Sequence, residues 1–358
     1  MHKTIRSVFA ATGSYIPPVQ VLNEAFANHC FFDKEGVLIA QDKAKLVERF
    51  REITGIEERR YARPEQTASE LGYLAARNAL DSSGIDGETL DYIIVAHNFG
   101  DVVHGSNRSD MVPSLASRIK YLLQIENPEC IAYDIAFGCP GWLEALIQAN
   151  YYIRSGDAKR CLVIGTETLS RVVDPHDRDS MLFSDGGGAV ILAAAEDSQA
   201  GILSHYTQTH AYAHSLLSMN HSYSPDRAGS KDIFMKMNGR KLYEFALSQV
   251  PIAIKAALDK AKTPLSAIKK VLIHQANEKM TDAILQRLFK LYGLDNPPAD
   301  LMPMTISWLG NSSVATIPTL LDLIQKQQLE DHRLDPGDIV VIASVGAGMN
   351  INAVIYQF

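Results

Sequence analysis

The stretch Lys270-Val271-Leu272-Ile273-His274-Gln275-Ala276-Asn277 has a counterpart earlier in the chain, Asp91-Tyr92-Ile93-Ile94-Val95-Ala96-His97. Each is a short, β-branched apolar run closed by a histidine, as expected of a strand buried in a helix-covered sheet. The match extends outward. After the first run, Gly138-Cys139 opens an amphipathic segment, and Gly156-Asp157 leads into an apolar strand that ends at Gly165. After the second, Gly310-Asn311 opens such a segment, and Gly337-Asp338 leads into a strand ending near Gly346. The spacing agrees roughly, with 42 residues from His97 to Cys139 and 37 from His274 to Asn311. Each half also carries a glycine cluster beside an apolar strand, Gly186-Gly187-Gly188 and Gly346-Ala347-Gly348. This repeat predicts two equivalent α/β halves, 1–198 and 199–358, with Cys139 and Asn311 at the starts of two related central helices. His274 then falls at a strand end between them.

The remaining pattern fits that frame. Strands are expected near 3–11, 92–96, 161–164, 189–192, 271–273 and 339–342, and helices over 68–82, 141–154, 241–261, 278–292 and 314–328. The stretch 207–231, rich in His, Ser and Tyr, reads as a long excursion over the surface or into a site. With 46% hydrophobic and 21% charged residues, the 358-residue chain has ordinary globular usage, and no apolar run is long enough to span a bilayer. A net charge of −7 argues against nonspecific binding to nucleic acid, which needs clustered Lys and Arg to neutralise phosphates. The four cysteines form no C-x-x-C pair, which argues against a metal or disulfide framework and for a reducing compartment. Near the start, Gly13 and Pro17-Pro18 interrupt the apolar run before it reaches signal-peptide length, so a cytoplasmic protein is expected.

Cys139 is the strongest candidate for chemistry. Pro140 suits the start of a helix and disfavours the α conformation in the residue before it, so Cys139 should sit at a sharp strand-to-helix turn. A helix N-terminus stabilises a thiolate, and Gly138 permits close approach of a substrate to the backbone. His274, and Asn311 within Leu309-Gly310-Asn311-Ser312-Ser313, are unremarkable singly. Placed at equivalent ends of a repeated fold, they offer two neutral N–H donors beside a thiolate. That set suits acyl transfer, in which the thiolate attacks a thioester and the donors stabilise a later enolate. Asp185 reads as structural, bonded to neighbouring N–H groups, and Glu167 as a solvated or structural carboxylate in preference to an extra acid or base.

Four strings taken together, Ala136-Phe137-Gly138-Cys139-Pro140-Gly141, His274-Gln275-Ala276-Asn277, Gly310-Asn311-Ser312-Ser313 and Asp174-Pro175-His176-Asp177-Arg178 ahead of Ser184-Asp185-Gly186, resemble β-ketoacyl-acyl-carrier-protein synthase III. The resemblance runs from Thr12-Gly13-Ser14-Tyr15-Ile16-Pro17 through Thr54-Gly55-Ile56 to Gly346-Ala347-Gly348. It implies a duplicated, thiolase-like, five-layered α/β/α/β/α fold, a homodimer, and no cofactor, the coenzyme A or phosphopantetheine thioester being substrate. It implies Cys139 as the acylated nucleophile and His274 with Asn311 as the pair that promotes decarboxylation of a malonyl-type extender. The backbone N–H groups of Cys139 and Ala347 would form the oxyanion hole, and Arg178 and Asn277 would bind the substrate or carrier.

The chain departs from that family at its substrate entrance. The Trp and Arg that clamp adenine upstream of Thr-Gly-Ile are replaced by Arg49 and Ile53, and only Arg178 of the clamp survives. The stretch 96–113 is longer than in housekeeping members, and the residue expected to reach the partner's acyl pocket is Val112 instead of a bulky aromatic. A different acyl group is expected, larger or presented on a carrier protein. In the expected helix at 278–292, Lys279, Arg287 and Lys290 fall within about 80° of one another, beside an apolar stripe of Met280, Ile284, Leu288 and Leu291. Such a basic ridge would steer an acidic acyl carrier protein. Two other readings stay open: a synthase that joins two acyl chains and lets the product cyclise to a resorcinol- or polyketide-type ring, and an inactive partner subunit of a condensing enzyme. A thiolase is disfavoured because Val345–Asn350 holds no second cysteine. Neither the G-x-G-x-x-G turn of a nicotinamide oxidoreductase nor the G-x-S-x-G turn of a serine hydrolase is present.

Overall fold

The computed structural model describes residues 4–40 and 42–358. Two sheets carry the fold. The first runs in the order Ile5–Tyr15, Asp185–Glu196, Arg160–Thr168, Tyr92–Ala96, Ile131–Ile135, and the second in the order Gly201–Thr209, Asn350–Gln357, Ile339–Gly346, Ile268–Ile273. Their pairing is the same: Tyr92–Ala96 lies parallel to Arg160–Thr168, and Ile268–Ile273 lies parallel to Ile339–Gly346. The two strands beyond these run antiparallel in each sheet. The duplicated architecture expected from the repeat is therefore present. Ile131–Ile135 has no strand counterpart in the second sheet. The chain there passes through Pro298 and Pro303, which lack an N–H for a ladder, and Leu301 bonds the neighbouring strand by accepting from Val271 N at 2.9 Å.

Five layers follow from the two-residue alternation of the buried strands. Ile94 and Ala96 of the first sheet and Leu272, Val340 and Ile342 of the second face inward, around Trp142, Leu146, Leu320 and Leu321 of the helices Gly141–Ser155 and Thr316–Gln325. Ile93 and Val95 face outward against the helices Ala68–Ser83 and Leu115–Leu122. Val271, Ile273 and Val341 face outward against Gly239–Ala261 and Glu278–Lys290.

The strands at 161–164, 189–192 and 339–342 extend beyond the sequence estimate, to Arg160–Thr168, Asp185–Glu196 and Ile339–Gly346. The first strand is Ile5–Tyr15, and Lys3 lies outside the described residues. Helix Glu278–Lys290 stops short of 292, so Leu291 becomes its 45%-exposed C-cap and is not part of the apolar stripe. The expected 314–328 helix is a short turn at Ser313–Ala315 followed by Thr316–Gln325. The loose 207–231 stretch leads into a hairpin, Leu217–Asn220 paired with Phe234–Met237. The long 96–113 stretch holds a small ladder of Asp101–Val102 against Ser109–Asp110.

Candidate active site

The two central helices begin at the two halves of one site. Gly138, with φ +69°, turns the chain out of the first sheet, and Pro140 caps the helix Gly141–Ser155, leaving Cys139 at the bend. Gly346, at the end of its strand, makes room for that bend. A Cβ on Gly346 would lie 2.5 Å from the Cys139 nitrogen, and one on Gly138 would lie 2.6 Å from the Ala347 nitrogen. Only glycines let the two turns interlock this closely. Cys139 and Ala347 thereby come to line the same cavity.

Cys139, His274, Asn311 and Ala347 line one cavity of about 200 Å³, together with apolar Phe99, Leu169, Phe183, Leu217, Met219, Met235, Met237 and Val345. A wider cavity of about 620 Å³, lined by Arg49, Ile53, Arg178, Tyr243 and Asn277, shares Met237, Leu242, Ala276, Met280 and Asn311 with the inner one. The space is thus a pocket with an outer vestibule. Arg178 stands in the vestibule wall, as do Arg49 and Ile53. Asn277 also lines it, though its side-chain oxygen accepts from Met280 N (3.0 Å) as the cap of helix Glu278–Lys290. Lys279, Arg287 and Lys290 are exposed on that helix and line neither cavity. Val112 lines neither cavity either and is 85% exposed.

The electrostatics differ between the groups. Burial pushes the Cys139 thiol up to about 11, with the charge of Glu167 adding to the rise. The Ser313 hydroxyl and the cysteine's own backbone N–H act in the opposite direction, favouring the thiolate. The helix-terminus argument from sequence omitted that desolvation. Burial also lowers His274, to about 4, so its imidazole is neutral over the physiological range. Its backbone N–H donates to Ala343 O (2.9 Å), while Nδ1 is buried with no hydrogen-bond partner. Asn311 is held on both sides by the 182–184 segment, donating to Leu182 O (3.0 Å) and accepting from Ser184 N (2.8 Å). Its side-chain oxygen accepts from Ser313 N (2.9 Å), which leaves Nδ2 as the group able to donate into the cavity.

Two carboxylates take the structural positions read from the sequence. Asp185 accepts from Ala62 N (2.8 Å), Ser170 N (2.9 Å) and Ser170 Oγ (2.7 Å) and fastens three segments together. Glu167, 1% exposed, accepts from the backbone and side chain of Asn98, and its burial pushes it up to about 8. Sequence reasoning missed Asn98, Ser313 and the hairpin residues Leu217, Met219, Met235 and Met237. The alternation Phe234-Met235-Lys236-Met237 was the available signal. Met235 and Met237 face the cavity, while Lys236 is buried on Asp174 (2.6 Å) and Asp177 (3.0 Å).

Residues 133–211 match the family model of 3-oxoacyl-[acyl-carrier-protein] synthase III, and residues 258–358 match the model of its C-terminal part. A β-ketoacyl-[acyl-carrier-protein] synthase III from Vibrio vulnificus is 33% identical over 357 residues, covering 98% of this chain and 99% of its own. The chain belongs to this synthase III family. A second relative of that description, from Sphingopyxis alaskensis, is 32% identical and covers 99% of each chain. The 3-oxoacyl-[acyl-carrier-protein] synthase III structure from Aquifex aeolicus superposes with a TM-score of 0.79 at 28% identity, covering 98% of this chain and 100% of that one. The protein is accordingly a thiolase-like condensing acyltransferase. Among the described residues no helix is long and apolar enough to cross a membrane, and no cluster of three His, Cys, Asp or Glu could hold a metal ion.

Proposed function

We propose that the protein condenses an acyl thioester with a carrier-bound malonyl-type extender, with loss of carbon dioxide, and that the acyl group rests on Cys139 between the two steps. The observation that carries this reading is the meeting of Cys139, His274 and Asn311, each from a different element, in one largely apolar cavity reached through a vestibule. In the first step the Cys139 sulfur attacks the thioester carbonyl, the N–H groups of Cys139 and Ala347 stabilise the oxyanion, and the thiol proton leaves with the carrier's sulfur. In the second, the extender carboxylate departs as carbon dioxide. The resulting enolate oxygen is stabilised by a neutral imidazole N–H of His274 and by Asn311 Nδ2, and its carbon attacks the acyl-cysteine, returning the thiolate. Incubating the enzyme with acyl-carrier and acyl-coenzyme A panels and reading the mass adduct on Cys139 tests this reading. An active enzyme that forms no adduct on Cys139 would contradict it.

The same proposal extends to the partner. The usual adenine clamp is absent where Arg49 and Ile53 line the vestibule, and a basic ridge of Lys279, Arg287 and Lys290 is exposed on the helix that begins at the vestibule residue Asn277. Both features favour a carrier-bound acyl group over its coenzyme A thioester. Val112 and the adjacent Met111 (46% exposed) present apolar side chains suited to a second copy of the chain, hence a homodimer. A boundary between the duplicated halves near 198/199 is supported by the sheets, one drawn from residues 5–196 and the other from 201–357. The four free cysteines suit a reducing, cytoplasmic setting.

A further inference from the structure

A polar chain runs from a carboxylate that the condensation does not use to Ser313, in the wall of the cavity that holds Cys139. The amide nitrogen of Asn98 donates to Glu167 Oε1 (2.5 Å) and to Ser313 Oγ (3.1 Å). The same Glu167 oxygen accepts the Asn98 backbone N–H (2.9 Å), so it is an acceptor, and the orientation of the Asn98 amide is fixed. An amide NH₂ only donates, so Ser313 Oγ must accept from it. The hydroxyl proton of Ser313 is then left for another acceptor. Asn98, Ser313 and Cys139 line the same cavity, and the Ser313 hydroxyl favours the charged form of the thiol. Ser313 also holds a backbone conformation that a non-glycine residue rarely adopts, φ +52°, with its N–H bonded to Asn311 Oδ1. A Cβ at Gly165, in the strand that carries Glu167, would lie 2.2 Å from Val314 O, so the segment after Ser313 is seated hard against that strand.

We propose that Ser313 is a catalytic residue that donates its hydroxyl hydrogen bond to the Cys139 thiolate, and that Asn98 and Glu167 are positioning residues that aim that hydroxyl. The assignment rests on Cys139 as nucleophile. It gives Ser313 two tasks, since its N–H orients the Asn311 amide for the extender and its O–H serves the thiolate in the acylation step. Glu167 acts here as a hydrogen-bond acceptor and not as a base, because both of its bonds to Asn98 are accepted. The titratable groups facing the sulfur are His274, from the second sheet, and Glu167, beneath Asn98.

The test is the rate at which iodoacetamide alkylates Cys139 in the full-length protein across pH 6 to 11, followed by intact mass. It needs no acyl substrate, so it fails or succeeds independently of the condensation reading, which Cys139 acylation tests. Ser313→Ala should slow alkylation about tenfold to a hundredfold across that range, displacing the rise of the curve to higher pH, as expected for loss of one hydrogen bond to a charged group. Asn98→Ala should change it in the same direction and carries the prediction alone if Ser313→Ala does not fold. The Ser313→Ala/Asn98→Ala double variant should be no slower than Ser313→Ala, because the two act as one unit. Glu167→Gln keeps the accepting oxygen and removes the charge, so it should alkylate at least as fast as the native protein. An unchanged profile in Ser313→Ala or, failing that, in Asn98→Ala, additive losses in the double variant, or a Glu167→Gln protein as slow as Ser313→Ala would each overturn the assignment.

Discussion

His97 and His274 close equivalent strands in the two halves, yet one is fully bonded and the other is left open. His97 accepts the Gly100 N–H at Nδ1 (3.0 Å), which places its proton on Nε2 for donation to Asp134 Oδ2 (2.9 Å). Asp134 in turn accepts from Leu115 N and Ala116 N, so His97 helps fasten the start of the helix Leu115–Leu122. His274 has no carboxylate partner, a buried Nδ1 without a bond, and a place in the wall of the cavity. The duplication supplied one geometry twice. One copy became a structural joint, and the other keeps the unpartnered polar group that a site requires. The central helices diverge in the same way, with the thiol of Cys139, the proposed nucleophile, at the start of one and the amide of Asn311 just ahead of the other.

Removing the nucleophile should have the largest effect. Cys139→Ala should abolish acylation and condensation while leaving the fold intact, since only a sulfur is deleted; full acylation of that variant, read by intact mass, would mean that the nucleophile lies elsewhere. Next comes the pair of histidines, whose variants should separate stability from activity. His97→Ala leaves the buried Gly100 N–H without its acceptor and should cost about 1–3 kcal/mol of stability in denaturant unfolding, with kcat preserved where the protein is folded. His274→Ala should cost less stability than His97→Ala and far more activity. The reverse ranking would dissolve the contrast between the halves.

A smaller effect is expected from acid. The folded protein holds His274 down to about 4, whereas an unfolded histidine titrates near 6.5. Between those values the unfolded chain binds a proton that the folded one does not, so stability rises with pH across the window and is lost as pH falls from about 6.5 towards 4. Thermal melts at pH 7 and pH 5 should therefore show a smaller acid loss for His274→Asn than for the native protein, and equal losses would contradict the neutral, buried imidazole. The smallest and most conditional effect lies on the surface. Reversing charge at Lys279, Arg287 and Lys290 should raise KM for a carrier-bound substrate in a salt-sensitive way and spare a small thioester mimic. An unchanged KM would remove the docking ridge and leave the chemistry of the site untouched.

The parts legible in the sequence were those written in short, local strings. The strand-histidine repeat announced the paired sheets, and Gly138-Cys139-Pro140 announced the bend at the helix start. The links between distant segments were not legible. Asn98 and Ser313 are 215 residues apart in sequence, and nothing in either neighbourhood signals their bond. The missed strand Ile131–Ile135 lies at an edge and is only partly buried, which weakens the apolar pattern that marks a strand. The upward push on the Cys139 thiol was missed because burial is a property of the packed site and not of the string around Cys139.

The most direct measurement of the central claim, that one half of the duplication takes the acyl group and the other handles the extender, uses His274→Ala and Asn311→Ala in two stages. Each variant is first given the acyl thioester alone, and intact mass is read for the Cys139 adduct; the carrier-bound extender is then added and the adduct is followed over time. Both variants should load Cys139 at close to the native rate and then retain the adduct, with condensation slower by about 10²–10³-fold, the usual loss for one anion-stabilising donor. Variants that fail to load Cys139, or that load it and discharge it into product at the native rate, would contradict the division of labour.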